Sequence, residues 1–258
     1  MAGRRIKHGN IFTVNSLVND LKVTVDKKNK CVVLNWINNN NNIKRVFRKN
    51  NNNANEYISS GDDVSFIDRT NTYQIVDYKI GNNQIVHYQI EDSTSYLYTY
   101  SEEVITDWTG WSISNLIPMG ELDDIPIFNI GTTWNFICNA DGGSITNNMN
   151  SQIHVGTSAY AQTSRDNTKY ESGSFTANLL TLQCPDLEVI DDIQRVKQWT
   201  KFITENYMFL LKSHKGDVWV VNISDNPSRS YEESTRYTLT NITYNWVEVA
   251  DLNKIIVR

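Results

Sequence analysis

The residues best able to do chemistry are four histidines, three cysteines, several adjacent acids and a run of tyrosines. His8, His87, His154 and His214 are scattered, and none falls in an HExxH or HxH spacing that would set two imidazoles on one metal. His214 sits in the polar turn SHKG, where a solvent-exposed residue is expected, and His87 in a strand-like run. A glycosidase needs two carboxylates ~5–10 Å apart across a cleft. Adjacent acids such as Glu102–Glu103 and Asp123–Asp124 point to opposite faces of a strand, and Asp191–Asp192 belongs to the polar side of a predicted helix. DGGS, beginning at Asp141, offers oxygen ligands without the spacing of an EF-hand loop, so a surface turn is expected. No GxSxG, GxxxxGKS or GxGxxG occurs. Cys31 and Cys138 lie in apolar stretches, and with Cys184 they are too far apart for a zinc site or a disulfide framework. Buried free thiols and folding in a reducing cytosol are expected. Tyr96, Tyr98 and Tyr100 alternate strictly in SYLYTYSEEV, so one strand face would carry three phenols. Such a face stacks on a pyranose or packs against an opposite sheet. No catalytic, metal or cofactor residue is assigned, and the chain is expected not to be an enzyme.

These side chains need a scaffold, and the totals bound it. The 258 residues suit one large domain or two ordinary ones. Hydrophobic content of 40% and charged content of 21% indicate a folded chain. Seven Trp and thirteen Tyr among many Thr, Val and Ile favour strands. A net charge of −5 argues against nucleic acid as the main partner. The start, MAGRRIKHGNIF, has basic residues with no apolar run behind them, so no secretory signal is read. Nor is there the run of ~18–20 apolar residues that crosses a bilayer.

Along the chain, LKVTVD alternates with period two, then CVVLNW follows a lysine-rich turn. In LNWINNNNNIKRVFRKNNNNANEYI, two asparagine runs, Asn38–Asn42 and Asn50–Asn53, flank IKRVFRK. Asn suits turns, so the runs are expected to be loops joining paired strands. QIVDYKI and QIVHYQI are near-copies across Gly-Asn-Asn. Residues 20–106 therefore read as a β-sandwich. Residues 107–126 hold two Trp and two Pro with little periodicity and are expected to be a linker or domain junction. Residues 127–258 resume with strands (IFNIG, then TWNFICNA) around one predicted helix, 186–207, on which Val189, Ile193, Val196, Trp199, Phe202 and Ile203 recur at helical spacing. Near the end, Ile242, Tyr244 and Trp246 share one strand face, while Val247 and Val249 fall on the other parity. A bulge or burial on both faces would reconcile them. The first ~19 residues, with Arg4, Arg5 and Lys7 beside Ile6, Ile11, Phe12 and Val14, read as an arm that orders on assembly or as a frayed terminus.

The segment from Leu21 to about Thr106 resembles a fibronectin type III domain in VVLNW (Val32 to Trp36), VFR (Val46 to Arg48), SFIDRT (Ser65 to Thr70) and HYQI (His87 to Ile90). Val86 stands where that family places a first Tyr. From Trp134 onward the chain resembles a domain of bacteriophage tail and baseplate proteins. The carriers are WNFICNADGGSITNN, KYESGSFTANLL, VKQWTKFI, FLLKSHKGDVWVVNISDNP and TLTNITYNWVEVADL, in that order. The segment between Asn148 and Lys169 departs from the pattern. The fold class is thus mainly β: an N-terminal immunoglobulin-like (fibronectin type III-like) sandwich plus a second β domain with one long α-helix. The resemblance implies a virion tail component, assembled in the host cytoplasm, that forms a homo-oligomeric ring with neighbouring tail and baseplate proteins. It implies no cofactor, nucleic-acid partner or membrane insertion. A second reading is a carbohydrate-binding module of the same particle, with a host surface glycan on the tyrosine face. A cell-wall hydrolase is a third.

Overall fold

The computed structural model describes residues 19–37, 43–50, 56–60, 65–67, 72–92, 98–136, 142–154, 162–179, 192–233 and 238–258. The chain is mainly β, with several sheets and, among the described residues, one α-helix. LKVTVD lies in β1 (Asn19–Asp26) and CVVLNW in β2 (Cys31–Ile37). IKRVFRK forms β3 (Ile43–Asn50). Then come β4 (Glu56–Ser60), β5 (Ser65–Ile67), β6 (Thr72–Asp77), β7 (Ile85–Asp92), β8 (Tyr98–Tyr100) and β9 (Val104–Ile105). They make two sheets, β1-β2-β6-β5 and β4-β3-β7-β8, with β9 also on β7. That is the Greek-key order of an immunoglobulin-like sandwich. Leu34, Trp36 and Ile75 from one sheet meet Val46, Val86, Tyr88 and Ile90 from the other in a single buried cluster.

One expectation about the asparagine runs is corrected. β2 pairs β1 and β6, whereas β3 pairs β4 and β7. Only the second run joins ladder partners; the first joins strands of different sheets. The same holds for the near-copies β6 and β7. Turn chemistry marks where a chain bends but not which sheet it bends into. Residues 38–42 and 51–55 themselves lie outside the described residues.

The second unit is one nine-stranded sheet. Its strands are β10 (Trp111–Leu122), β11 (Ile125–Phe136), β12 (Ile145–His154), β13 (Gln162–Asn178), β14 (Phe209–Lys212), β15 (Val218–Ile223), β16 (Ser228–Glu233), β17 (Thr238–Ala250) and β18 (Ile256–Val257). The order is β12-β13-β17-β15-β14-β10-β11-β18, with β16 also on β17. Residues 107–126, expected to be a linker, are instead largely β10, and IFNIG and TWNF are a single strand, β11. Pro118 lies beyond Asn115, the last β10 residue paired with β14, so a residue without an N–H is tolerated on that open edge. Asp123 and Asp124, at φ 50° and 65°, sit between the paired Leu122 and Ile125. Two successive left-handed residues are what a tight type I′ hairpin turn requires, and Asp accepts that conformation.

The helix, α1, spans Asp192–Glu205 rather than ending at 207; residues 186–191 lie outside the described residues. Asn206 stops it. The Asn206 amide donates to the Phe202 carbonyl at 2.6 Å, taking the acceptor that a further helical turn would need. Val196, Trp199, Phe202 and Ile203 face the sheet and join Phe175, Phe209, Trp219, Tyr244 and Trp246 in the largest core cluster. The parity conflict in β17 is settled by burial, since Ile242, Tyr244 and Trp246 are buried and Val247 is only half-buried, and a bulge follows Glu248. Val220 pairs Ala250 while Val221 pairs Glu248, so Val249 is the extra residue and is 44% exposed.

Candidate functional site: the seam between the two β units

Three lysines are buried where the sandwich meets the large sheet: Lys30, Lys79 and Lys212, at 2%, 4% and 3% exposure. Lys residues are almost never fully buried unless their ammonium finds partners. Lys30 closes the turn between β1 and β2, where the Asp26 carboxylate caps the N–H groups of Lys28 and Asn29 at 3.0 Å. It holds a left-handed φ of 51°, uncommon for a residue other than Gly or Asn. The Lys30 ammonium donates to the Gly110 carbonyl at 2.8 Å, and its own carbonyl accepts from the Lys212 ammonium. Lys212, at the end of β14, also lies 5.3 Å from the centre of the Trp108 ring. Lys79 follows β6 and donates to the Ile255 carbonyl at 3.2 Å, just before β18. Each cation reaches from one unit to the main chain of the other.

Asn82 completes the seam from the loop between β6 and β7. Its amide donates to the carbonyls of Trp108 at 2.7 Å and His214 at 2.8 Å, and its side-chain oxygen accepts from the Trp108 N–H at 2.9 Å. Beside it the two main chains touch. A Cβ on Gly81 would lie 1.8 Å from the Gly216 carbonyl oxygen, and Gly216 holds φ +115°, which a side chain resists. Behind this layer, Arg48 and Asp77 form an ion pair of 2.6 Å with side chains 5% and 0% exposed. The Tyr88 hydroxyl donates to the same carboxylate at 2.9 Å.

Burial sets the protonation of this cluster. Loss of solvation, with Lys212 adding repulsion, lowers Lys30 from an ordinary 10.5 to about 7. Burial lowers Lys212 to about 8, against the pull of Asp77 and Cys31. Burial pushes the Cys31 thiol up to about 12, so it is an inert core thiol there. The arrangement clamps two β units together; it presents no nucleophile to solvent.

Of the residues singled out in the sequence, Cys31 and the His214 main chain fall at the seam, and the others do not. Arg4, Arg5, Lys7, Ile11 and Phe12 are outside the described residues, as are Tyr96, Cys138 and Cys184. Tyr98 and Tyr100 share β8, pairing Glu91 and Gln89. Tyr100 is 57% exposed, with its ring 6.5 Å from that of His87. His214 is exposed and lends the seam its carbonyl, not its imidazole. Among the described residues no group of three His, Cys, Asp or Glu could hold a metal, and no helix is long and apolar enough to cross a membrane. The seam lysines escaped the sequence reading. Lys30 looked like one more residue of a solvated turn. Lys212 did leave a signal, as a lysine directly after FLL in a strand whose four residues are all buried. Protein-family models scanned against the chain give no match, and neither does a search of the curated proteins.

Proposed function

We propose that this chain is a structural component of a bacteriophage tail, in the baseplate or tail-tip region, with a fibronectin type III-like unit fixed rigidly to a tail-type β unit. The observation that carries this reading is the buried seam. Lys30, Lys79, Lys212 and Asn82 tie the units main chain to side chain, so a force on one is passed to the other without a hinge. A part that positions a host-attachment apparatus needs that stiffness. The order of motifs from Trp134 to Leu252 supports the tail assignment. The role is mechanical and involves no catalysis, and the partners are copies of this chain and neighbouring tail proteins. Negative-stain electron microscopy of the concentrated chain is expected to show closed rings. A monomer at every concentration, with no affinity for tail particles, would count against the assignment.

A further inference from the structure

We infer that the sheet carries a second site, a groove that binds a neutral saccharide through two carboxylates, one of them anchored on a buried tryptophan. The groove, of about 580 Å³, lies where β12, β13, β17 and β15 run beyond the contacts of α1. Ladder register puts Asn147, Met149, Lys169, Glu171, Trp219 and Glu248 on one face. That volume falls within the range of small-molecule sites.

Glu171 lies one step past the Ser172–Val247 pair and so faces Glu248 across the strands. Like charges so placed repel each other. Both carboxylates are nonetheless held in place. Glu171 accepts from the Trp219 indole N–H at 2.5 Å, and Glu248 accepts from the Glu171 backbone N–H at 2.9 Å. Trp219 is the exception among the seven tryptophans, because the other six bury their indole N–H with no acceptor among the described residues. Each carboxylate keeps one oxygen without a partner among the described residues.

The chemistry selects the ligand. Ionised carboxylates only accept, a lysine only donates, and an asparagine amide does both. A ligand that donates and accepts at neighbouring atoms is a polyol. Its C–H face suits the exposed Met149 side chain, while the buried Trp219, stacked on Trp111, fixes Glu171 from below. Two carboxylates repel an acidic sugar, and Lys169 disfavours a cation. This site is separate from the tyrosine face of β8, and it does not rest on the assembly reading.

Calorimetry and saturation-transfer NMR on the full chain would test it, using methyl glucoside, methyl galactoside, methyl mannoside and N-acetylglucosamine, with glucuronate, free arginine and calcium chloride as contrasts. At least one neutral sugar is expected to bind with a Kd on the order of 1 mM. Glu171→Gln and Glu248→Gln are each expected to weaken it about tenfold, since the charge-assisted bonds are lost, and Tyr100→Ala to leave it unchanged. Asn147→Ala, on the edge strand β12, gives an independent arm should either Gln variant fail to fold. Silence from all four sugars, glucuronate binding as tightly, arginine or calcium binding in their place, or retained affinity in the folded groove variants would each overturn the inference.

Discussion

At the scale of single residues, the seam makes stability depend on pH in a direction that can be worked out. Below pH 7 both folded and unfolded chains hold the Lys30 proton, and the cost of burying that charge is felt in full. Between about 7 and 10.5 the folded chain has released the proton and the unfolded chain has not, so stability rises with pH. Lys212 adds the same trend from about 8. Each lysine contributes at most about 1.4 kcal/mol per pH unit. Cys31 acts in the opposite sense. Its folded value of about 12 exceeds the ordinary 9.0, so its contribution is present below pH 9 and lost as pH climbs towards 12. Urea unfolding is therefore expected to show stability rising from pH 7 to 9, rising more slowly from 9 to about 10 as Cys31 offsets one of the two lysines, and levelling or falling above about 10.5. In Lys30→Met the rise should begin near pH 8 instead of 7. A flat profile from pH 7 to 9 in the parent chain would contradict this account of the seam.

At the scale of elements, the sequence was most legible where one face decides the pattern. The helix could be read because Val196, Trp199, Phe202 and Ile203 return to one stripe, and Trp199 is 1% exposed between Phe136, Phe202 and Tyr244. Trp199→Ala is expected to cost about 3–5 kcal/mol in chemical denaturation, since α1 would lose its central anchor. The strand β10 was harder to read. Trp111 to Ser114 alternate, but the run is short, and the polar Ser112, Ser114 and Asn115 do not announce that Trp111 to Leu116 are all buried. Pro118 and Gly120 follow and look like breakers. Both are accommodated, Pro118 by the open edge and Gly120 by the register shift beside it. Partner choice was equally hidden. Nothing in the asparagine runs distinguishes a hairpin loop from a passage between sheets, because that depends on residues far along the chain. The groove was missed as well, since Glu171 and Glu248 lie 77 positions apart and meet only through the ladder.

At the scale of the whole molecule, the question is whether two β units behave as one body. The two main core clusters are separate, Trp108 packing in that of the sandwich and Trp111 in that of the sheet, three positions on, and Tyr78 of the sandwich packs on a third, smaller cluster of the sheet as part of the seam. Without the seam, each unit would be expected to melt independently. With Asn82 bonded to Trp108 and His214, and with three lysines crossing, calorimetry should record one cooperative transition. Asn82→Ala leaves the Trp108 N–H and the Trp108 carbonyl without their partner, and the His214 carbonyl keeps only the Asn83 amide at 3.3 Å. Such buried groups cost about 1–3 kcal/mol each. The single endotherm is then expected to split in two. If it stays single and merely shifts, the units are coupled by something other than this loop.

The meeting of Gly81 with Gly216 fixes more than a contact. Because backbone rests on backbone there, the spacing of the halves is written in bond lengths and torsions, which do not drift as side chains are exchanged. Outer surfaces on either half can therefore change wholesale while the angle subtended by the pair stays constant. A repeating array built from such pieces would keep its pitch while its coat is rewritten.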